Sequence, residues 1–227
     1  MTMDNLKYMT SLPTEAEIEL GNGQNIQLIH NSPIFFRKLR IDAFHSSNYL
    51  TRMRVSPFTH EDYLEHARQA VLDHPEAAAD LAALPPGVYA FGHNHLQWHM
   101  RSGDTLIVNP GSCGIPLDFD NRAAYTAIED IGDDWAVDER RVEYDIDTAI
   151  NALKSSSLSN EAPVWSKIII EEIRIGAGII SHFFMHLEKI ANKASYTQRP
   201  VSDEIWKLAA ETFDLEGFVE GLVRGED

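Results

Sequence analysis

Two histidines stand two positions apart in the tetrapeptide Gly92-His93-Asn94-His95, directly after the apolar run 88–91. Imidazole is the commonest side-chain metal ligand. Because glycine gives the backbone room to turn at the end of a strand, the pattern indicates a metal centre at a sheet edge. The two rings can serve two neighbouring ions, or a single ion if the loop bends.

A third histidine, His30, ends the apolar run 26–30 and precedes the strand-breaking run 31–33. Ligands that follow neighbouring strands converge on one edge of a sheet, where α/β proteins place their sites. We therefore expect the metal ligands to be three histidines: His30, His93 and His95. No catalytic residue can be assigned from the sequence.

Few carboxylates lie where such a centre needs them. Asp118 and Asp120 follow the turn Asn109-Pro110-Gly111-Ser112, and we expect them to decorate a loop. Cys113 is interpreted as a small buried residue rather than a nucleophile, because no histidine stands beside it in sequence.

Two further groups could carry chemistry, and the sequence favours a plainer role for both. His182 and His186 have the i, i+4 spacing of a zinc pair, yet phenylalanines crowd the same segment, which favours packing. Four arginines could line an approach for phosphate, because guanidinium matches phosphate geometry, although a solvated surface is the simpler reading. They are Arg37, Arg40, Arg52 and Arg54.

Composition narrows the class of protein. The chain has 227 residues, 44% of them hydrophobic, and a formal net charge of −16. That charge argues against nucleic-acid binding through a basic surface, and it gives no support for a membrane partner. A single cysteine excludes an internal disulfide, and no signal peptide or membrane span is visible, so we expect a cytoplasmic protein.

Periodicity and turn residues predict an α/β chain. Apolar runs and alternation predict strands at 16–20, 26–30, 88–91, 96–101, 105–108, 124–129 and 135–144. Helices are expected at 4–12, 60–73, 75–84 and 147–154. A serine-rich linker follows at 155–160. From Pro163 onward the pattern is helical, with one amphipathic helix running past Leu187 and a final helix capped by Ser202. The helical tail is interpreted as a cover for one sheet face, a lid or an oligomerisation surface.

The run from residue 12 to about residue 144 has a family likeness, and four stretches carry it. They read IQLIHNSP at 26–33, FGHNH at 91–95, TLIVNPGSCG at 105–114 and, at 122–146, a segment that begins RAAYTAIED. In this order they resemble the calcineurin-like metallophosphoesterases, in particular the bacterial predicted phosphodiesterase branch.

The resemblance implies a four-layer αββα sandwich with a dinuclear metal centre. By position, His30 and His93 would bind the second metal and His95 the first. A hydroxide held by the two ions would attack the phosphorus of a phosphate ester. Manganese, iron or zinc suits the imidazole ligands. The expected substrate is a small phosphate ester or a phosphoprotein.

The sequence departs from the family pattern in one respect. The Asp-x-His, Gly-Asp-x-x-Asp and Gly-Asn-His or Gly-Asn-Cys motifs do not occur. In the family these motifs supply the bridging carboxylate, the asparagine ligand and often a histidine that helps the leaving group. The chain therefore resembles the C-terminal part of such an enzyme, and about 70 to 90 residues of a split α/β half are missing. A late start site or truncated gene, a deliberate fragment, and a divergent chain without catalysis all account for this.

These inferences combine into one expectation. The fold is α/β, a partial αββα sandwich at residues 1–148 with a C-terminal helical extension at 149–227. The function is metal-dependent phosphoester hydrolysis, impaired here, with one metal ion or none bound. The alternative is a non-catalytic structural or interaction protein that forms homo-oligomers, and a mononuclear histidine metal binder is a third interpretation.

Overall fold

The computed structural model describes residues 2–20, 24–30, 75–93, 95–132, 134–196 and 200–224. Its strands are β1 (Glu15–Glu19), β2 (Asn25–Ile29), β3 (Gly87–Phe91), β4 (Gln97–Ser102), β5 (Thr105–Pro110), β6 (Ala123–Asp130) and β7 (Trp135–Val142). Its helices are α1 (Met3–Ser11), α2 (Pro75–Ala82), α3 (Ile146–Lys154), α4 (Leu158–Glu161), α5 (Pro163–Ile175), α6 (Ile180–Lys193), α7 (Asp203–Thr212) and α8 (Leu215–Arg224).

A five-stranded mixed sheet has the order β1-β2-β3-β5-β4. The three central strands are parallel, with Ile29 of β2 beside Phe91 of β3, and Ala90 of β3 beside Val108 of β5. The outer strands β1 and β4 run antiparallel to their neighbours. Because parallel strands end on the same side, the residues that follow β2, β3 and β5 meet at one edge of the sheet.

The strands β6 and β7 form a second, antiparallel sheet that packs on the first. Val88, Leu106 and Val108 of the larger sheet form one core cluster with Trp135 of β7. β3 and β5 are buried along most of their length, which explains why they read as continuous apolar runs rather than as alternation. Two packed sheets followed by helices confirm the predicted α/β class, with a partial sandwich and a helical C-terminal extension.

The helical extension has its own apolar core around Phe183, which is fully buried. Asp145 caps α3, and Ser202 caps α7 as the sequence predicted. α1 contributes no buried residue, and all of β1 is exposed. No helix among the described residues is both long and apolar enough to cross a bilayer.

Three expectations about the extension are wrong. The amphipathic run after Pro163 is two helices, because Gly176 adopts a left-handed φ of 68° and ends α5. The final helix is also two helices, with Asp214 accepting a hydrogen bond from the Gly217 N–H at the start of α8. Part of the serine-rich linker is the short helix α4 rather than a free connector.

The remaining predicted strands and helices are confirmed to within two residues at each end, except one. The helix expected at 60–73 lies outside the described residues. The division of the chain at residue 148 stays a prediction.

Candidate functional site

His30 and His93 lie side by side where β2 and β3 end. Their ring centroids are 5.6 Å apart and the rings are nearly perpendicular. The backbone N–H of Gly92 donates to the His30 carbonyl at 3.3 Å. A side chain at residue 92 would place its Cβ only 3.3 Å from His30 Nδ1, so glycine permits this close approach. The structure therefore brings together two of the three predicted ligands.

The chain bends sharply between β3 and β4. His93 has φ 80° and His95 has φ 58°, both in the left-handed region that residues other than glycine rarely adopt. Each such residue costs about 1–2 kcal/mol, so the surrounding contacts must hold the bend. From the sequence, His93 and His95 could bind the same ion only if the loop between β3 and β4 bends. The positive φ values of both residues are consistent with such a bend.

His95 turns toward a different part of the chain. Its Nδ1 lies 2.7 Å from the carbonyl oxygen of Ile115, which belongs to the loop after β5. In the described ranges, no group of three or more His, Cys, Asp or Glu side chains is arranged to hold a metal ion. The three-histidine ligand set therefore stays a prediction, with only His30 and His93 seen as a pair.

The segment Asn109-Pro110-Gly111-Ser112 forms the turn that leaves β5. Asn109 is fully buried, and its Oδ1 accepts a hydrogen bond from the Gly111 N–H at 3.0 Å. Ser112 Oγ accepts one from the Ile115 N–H at 2.9 Å. These short-range bonds give the motif a structural role in shaping the loop.

The two aspartates of this loop are engaged by arginines. Asp118 is buried and forms an ion pair with Arg141, which also donates from Nη1 to Asp118 Oδ1 at 3.1 Å. Asp120 binds Arg122 at 2.5 Å, and this hydrogen bond holds the pKa of Asp120 below its usual range. Both carboxylates stabilise the loop, as expected for residues that decorate it, although Asp118 does so from the interior.

Three other sequence interpretations have structural outcomes. His182 packs on the ring of Phe218 at a centroid distance of 4.6 Å, while His186 Nε2 lies 2.9 Å from Thr212 Oγ1. These contacts agree with the packing role predicted for the two histidines.

Cys113 is exposed, so its prediction as a buried residue is wrong. It sits at the tip of the turn closed by the Ser112 hydroxyl. The four arginines between residues 37 and 54 lie outside the described residues.

One polar contact was not foreseen from the sequence. His99 Nδ1 lies 2.6 Å from Glu139 Oε1, where β4 meets β7. The two residues are far apart in the chain, and only the packing of the second sheet on the first brings them together. Alternation along β4 places His99 on the face toward β7, but no local signal identifies its partner.

An open groove of about 310 Å³ lies beside His30. Its walls are mostly apolar, with Leu28, Ala90 and Phe91 on the sheet and Pro110 near the end of β5. A small ligand in this groove would contact the edge that carries the histidine pair.

Two imidazoles do not fit a dinuclear cation centre by themselves. Neutral histidines give no negative charge to offset two divalent ions, and the loop carboxylates are held by arginines. The described residues therefore offer ligands for one transition ion at most.

No protein-family model matches the sequence, and no curated protein sequence matches it. Among solved structures, the chain is similar to the crystal structure of metallophosphoesterase from Sphaerobacter thermophilus, with 21% sequence identity and a TM-score of 0.44. The superposition covers 78% of this chain and 64% of that protein. The chain thus spans less than two thirds of the length of that protein.

Proposed function

We propose that the protein is a metal-dependent phosphoesterase of the calcineurin-like class, whose active edge is formed where β2, β3 and β5 end. The observation that carries the proposal is the pairing of His30 with His93, whose rings are 5.6 Å apart at the ends of adjacent parallel strands. Strand ends of this kind are where open α/β sheets bind ligands. The buried Asn109 turn completes the same edge.

The residues of this chain set a limit on activity. His30 and His93 would hold one manganese, iron or zinc ion, and His95 would bind it through Nε2, because its Nδ1 contacts the Ile115 carbonyl. Because the described loop carboxylates, Asp118 and Asp120, are held by arginines, we expect weak binding of the ion and slow hydrolysis or none.

A small phosphate ester or a phosphoprotein is the proposed substrate class. The groove beside His30 can accept the apolar part of a small ester. The net charge of −16 disfavours a long polyanion such as nucleic acid. A cytoplasmic location belongs to the same proposal, because a single cysteine suits a reducing compartment.

The second candidate function is a non-catalytic interaction protein. The observation that favours it is the N-terminal segment, in which α1 and β1 bury no residue. Met3, Tyr8 and Met9 are each more than half exposed, and Leu6 and Ile18 are each 45% exposed. A nine-residue helix that buries no residue is only marginally stable by itself, so a partner or a second copy would stabilise this segment.

Hydrolysis of bis(p-nitrophenyl) phosphate in the presence of manganese tests the proposed function. We expect slow turnover above a protein-free blank, with loss of that turnover in His93→Ala. His99→Ala is the control, because His99 is a histidine within β4 that pairs with Glu139 rather than one that follows the end of a strand. Equal rates in wild type and His93→Ala would refute hydrolysis by this chain and leave the interaction function.

Sedimentation velocity tests the second candidate. If α1 mediates self-association, the wild type sediments as an oligomer, and Met9→Asp, which places a charge on an exposed apolar position, sediments as a monomer. A monomeric wild type would exclude the homo-oligomer.

A further inference from the structure

The loop that follows β5 holds a carbonyl group against a histidine ring. Ser112 Oγ accepts hydrogen bonds from the N–H groups of Gly114 at 3.4 Å and Ile115 at 2.9 Å, which closes a compact turn. The carbonyl of Ile115 then faces His95 Nδ1 at 2.7 Å. A serine hydroxyl therefore sets the position of the group that contacts the imidazole.

Both ends of this loop are anchored. The Ser112 carbonyl accepts a hydrogen bond from the Ala124 N–H at 3.0 Å, which ties the start of the loop to β6. Arg141 of β7 pairs with the buried Asp118 and donates to the Asp120 carbonyl at 3.1 Å, which ties down the other end. The loop that carries the Ile115 carbonyl is thus anchored at both ends.

The chemistry of the pair decides which ring nitrogen carries the proton. A carbonyl oxygen can only accept a hydrogen bond, so His95 Nδ1 must be the donor. A neutral imidazole has one N–H group, which leaves the lone pair on Nε2. The left-handed backbone of His95 is a strained conformation, which persists only when neighbouring contacts hold it.

We propose that Ser112 is a positioning residue for His95, acting through the Ile115 carbonyl to hold the tautomer in which Nδ1 carries the proton and Nε2 is the acceptor. This assigns a role to the serine of the Asn-Pro-Gly-Ser turn. The group that Nε2 binds is a metal ion in the first instance, and this part rests on the proposed function. The tautomer itself stands on the contacts of the loop.

Long-range ¹H–¹⁵N NMR of the full ¹⁵N-labelled chain tests the tautomer at about pH 8.5, well above the ordinary pKa of imidazole. The His95 signals are assigned by their loss in His95→Gln. We expect a protonated Nδ1 and an unprotonated Nε2 in the wild type, and ring signals averaged between the two tautomers in Ser112→Ala. Ser155→Ala is the matched control, because the exposed Ser155 Oγ donates to the carbonyl of the exposed Asn151 in α3, and it should leave the His95 signals unchanged.

A wild-type His95 with its proton on Nε2 would overturn the proposal, and this measurement decides the matter even if Ser112→Ala fails to fold. Identical His95 signals in wild type and folded Ser112→Ala would also overturn it, because the serine would then have no effect on the ring.

Titration with Co²⁺ alone separates this inference from the proposed function. Loss of the contact that orients a metal-binding histidine lowers affinity by roughly 10-fold. If Ser112 holds the Ile115 carbonyl against His95, we expect that loss in Ser112→Ala and none in Ser155→Ala. A wild type that binds no Co²⁺ contradicts the metal function, and the NMR result then still decides the tautomer. Equal Co²⁺ affinity in wild type and Ser112→Ala would refute a positioning role toward the metal.

Discussion

The carboxylate of Glu172 accepts a hydrogen bond from the backbone N–H of Ile179 at 2.6 Å, across the left-handed turn at Gly176. The same oxygen accepts a second bond, from the Ile180 N–H at 2.8 Å. No side chain at the local N-cap position of α6 provides such a bond. Glu172, which is 1% exposed, therefore caps the following helix from the preceding one and joins α5 to α6.

Substitution of Glu172 by glutamine should change how stability depends on pH. Burial raises the pKa of Glu172, while its two backbone hydrogen bonds act in the opposite direction and only partly offset it. Protonation therefore favours the folded state, and this contribution is present below the ordinary glutamate pKa and lost as pH rises through the raised value. Because glutamine does not titrate, the stability of Glu172→Gln relative to wild type should increase with pH.

Urea unfolding between about pH 4 and pH 8 measures this difference. Glu204→Gln is the matched control, because Glu204 is exposed in the first turn of α7. Its stability should follow the wild type at every pH. Parallel curves for Glu172→Gln and wild type would show that Glu172 has no linkage to folding.

Removal of the Asp118 carboxylate should strongly destabilise the fold. Asp118 has a fully buried side chain and Arg141 is only 10% exposed, so Asp118→Ala leaves a buried guanidinium without its counter-charge. Breaking one side of a buried pair costs about 3–5 kcal/mol. The control is Asp138→Ala, whose partner Arg140 is more than half exposed, and solvent screening leaves little effect there. Similar unfolding midpoints for both variants would contradict a structural role for the buried pair.

Local signals predicted most of the elements of the fold, and long-range contacts account for what they missed. The apolar run 88–91 and the cap at Ser202 are readable because each depends on neighbours within a few residues. The pairing of Asp118 with Arg141 spans 23 residues and exists only because two sheets pack together. His30 and His93 could be placed at one edge from strand order, whereas the turn of His95 toward Ile115 depends on a loop shape that no spacing rule specifies.

Replacement of Gly92 by alanine should weaken metal binding with little effect on folding. The added Cβ would lie 3.3 Å from His30 Nδ1, so the His30 ring must move by a few tenths of an ångström. We expect Co²⁺ affinity to fall roughly 10-fold, as for other changes that misplace a ligand, while the free energy of unfolding stays within about 1 kcal/mol of wild type. Gly114→Ala is the control, because its Cβ meets no atom within 4 Å. Unchanged Co²⁺ affinity in Gly92→Ala would contradict the inference that Gly92 sets the spacing between His30 and His93.

Two glycines with similar backbones should respond differently to alanine. Gly111 has φ 78° and Gly103 has φ 59°, so both substitutions incur the left-handed penalty of about 1–2 kcal/mol. At Gly103 the new Cβ meets nothing within 4 Å, and no further cost is expected. At Gly111 it would lie 2.8 Å from Ala124 Cβ and 3.0 Å from Gln97 Cβ, and such overpacking adds about 1–3 kcal/mol.

Urea unfolding of Gly111→Ala and Gly103→Ala therefore isolates the packing contribution, because the backbone penalty is common to both. We expect Gly111→Ala to be the less stable variant by about 1–3 kcal/mol. Since Gly111 precedes Ser112, the same variant should also disturb the His95 ring signals, whereas Gly103→Ala should leave them unchanged. Equal destabilisation by the two substitutions would mean that the turn after β5 moves freely away from β4 and β6, and a loop that loose could not hold the Ile115 carbonyl against His95.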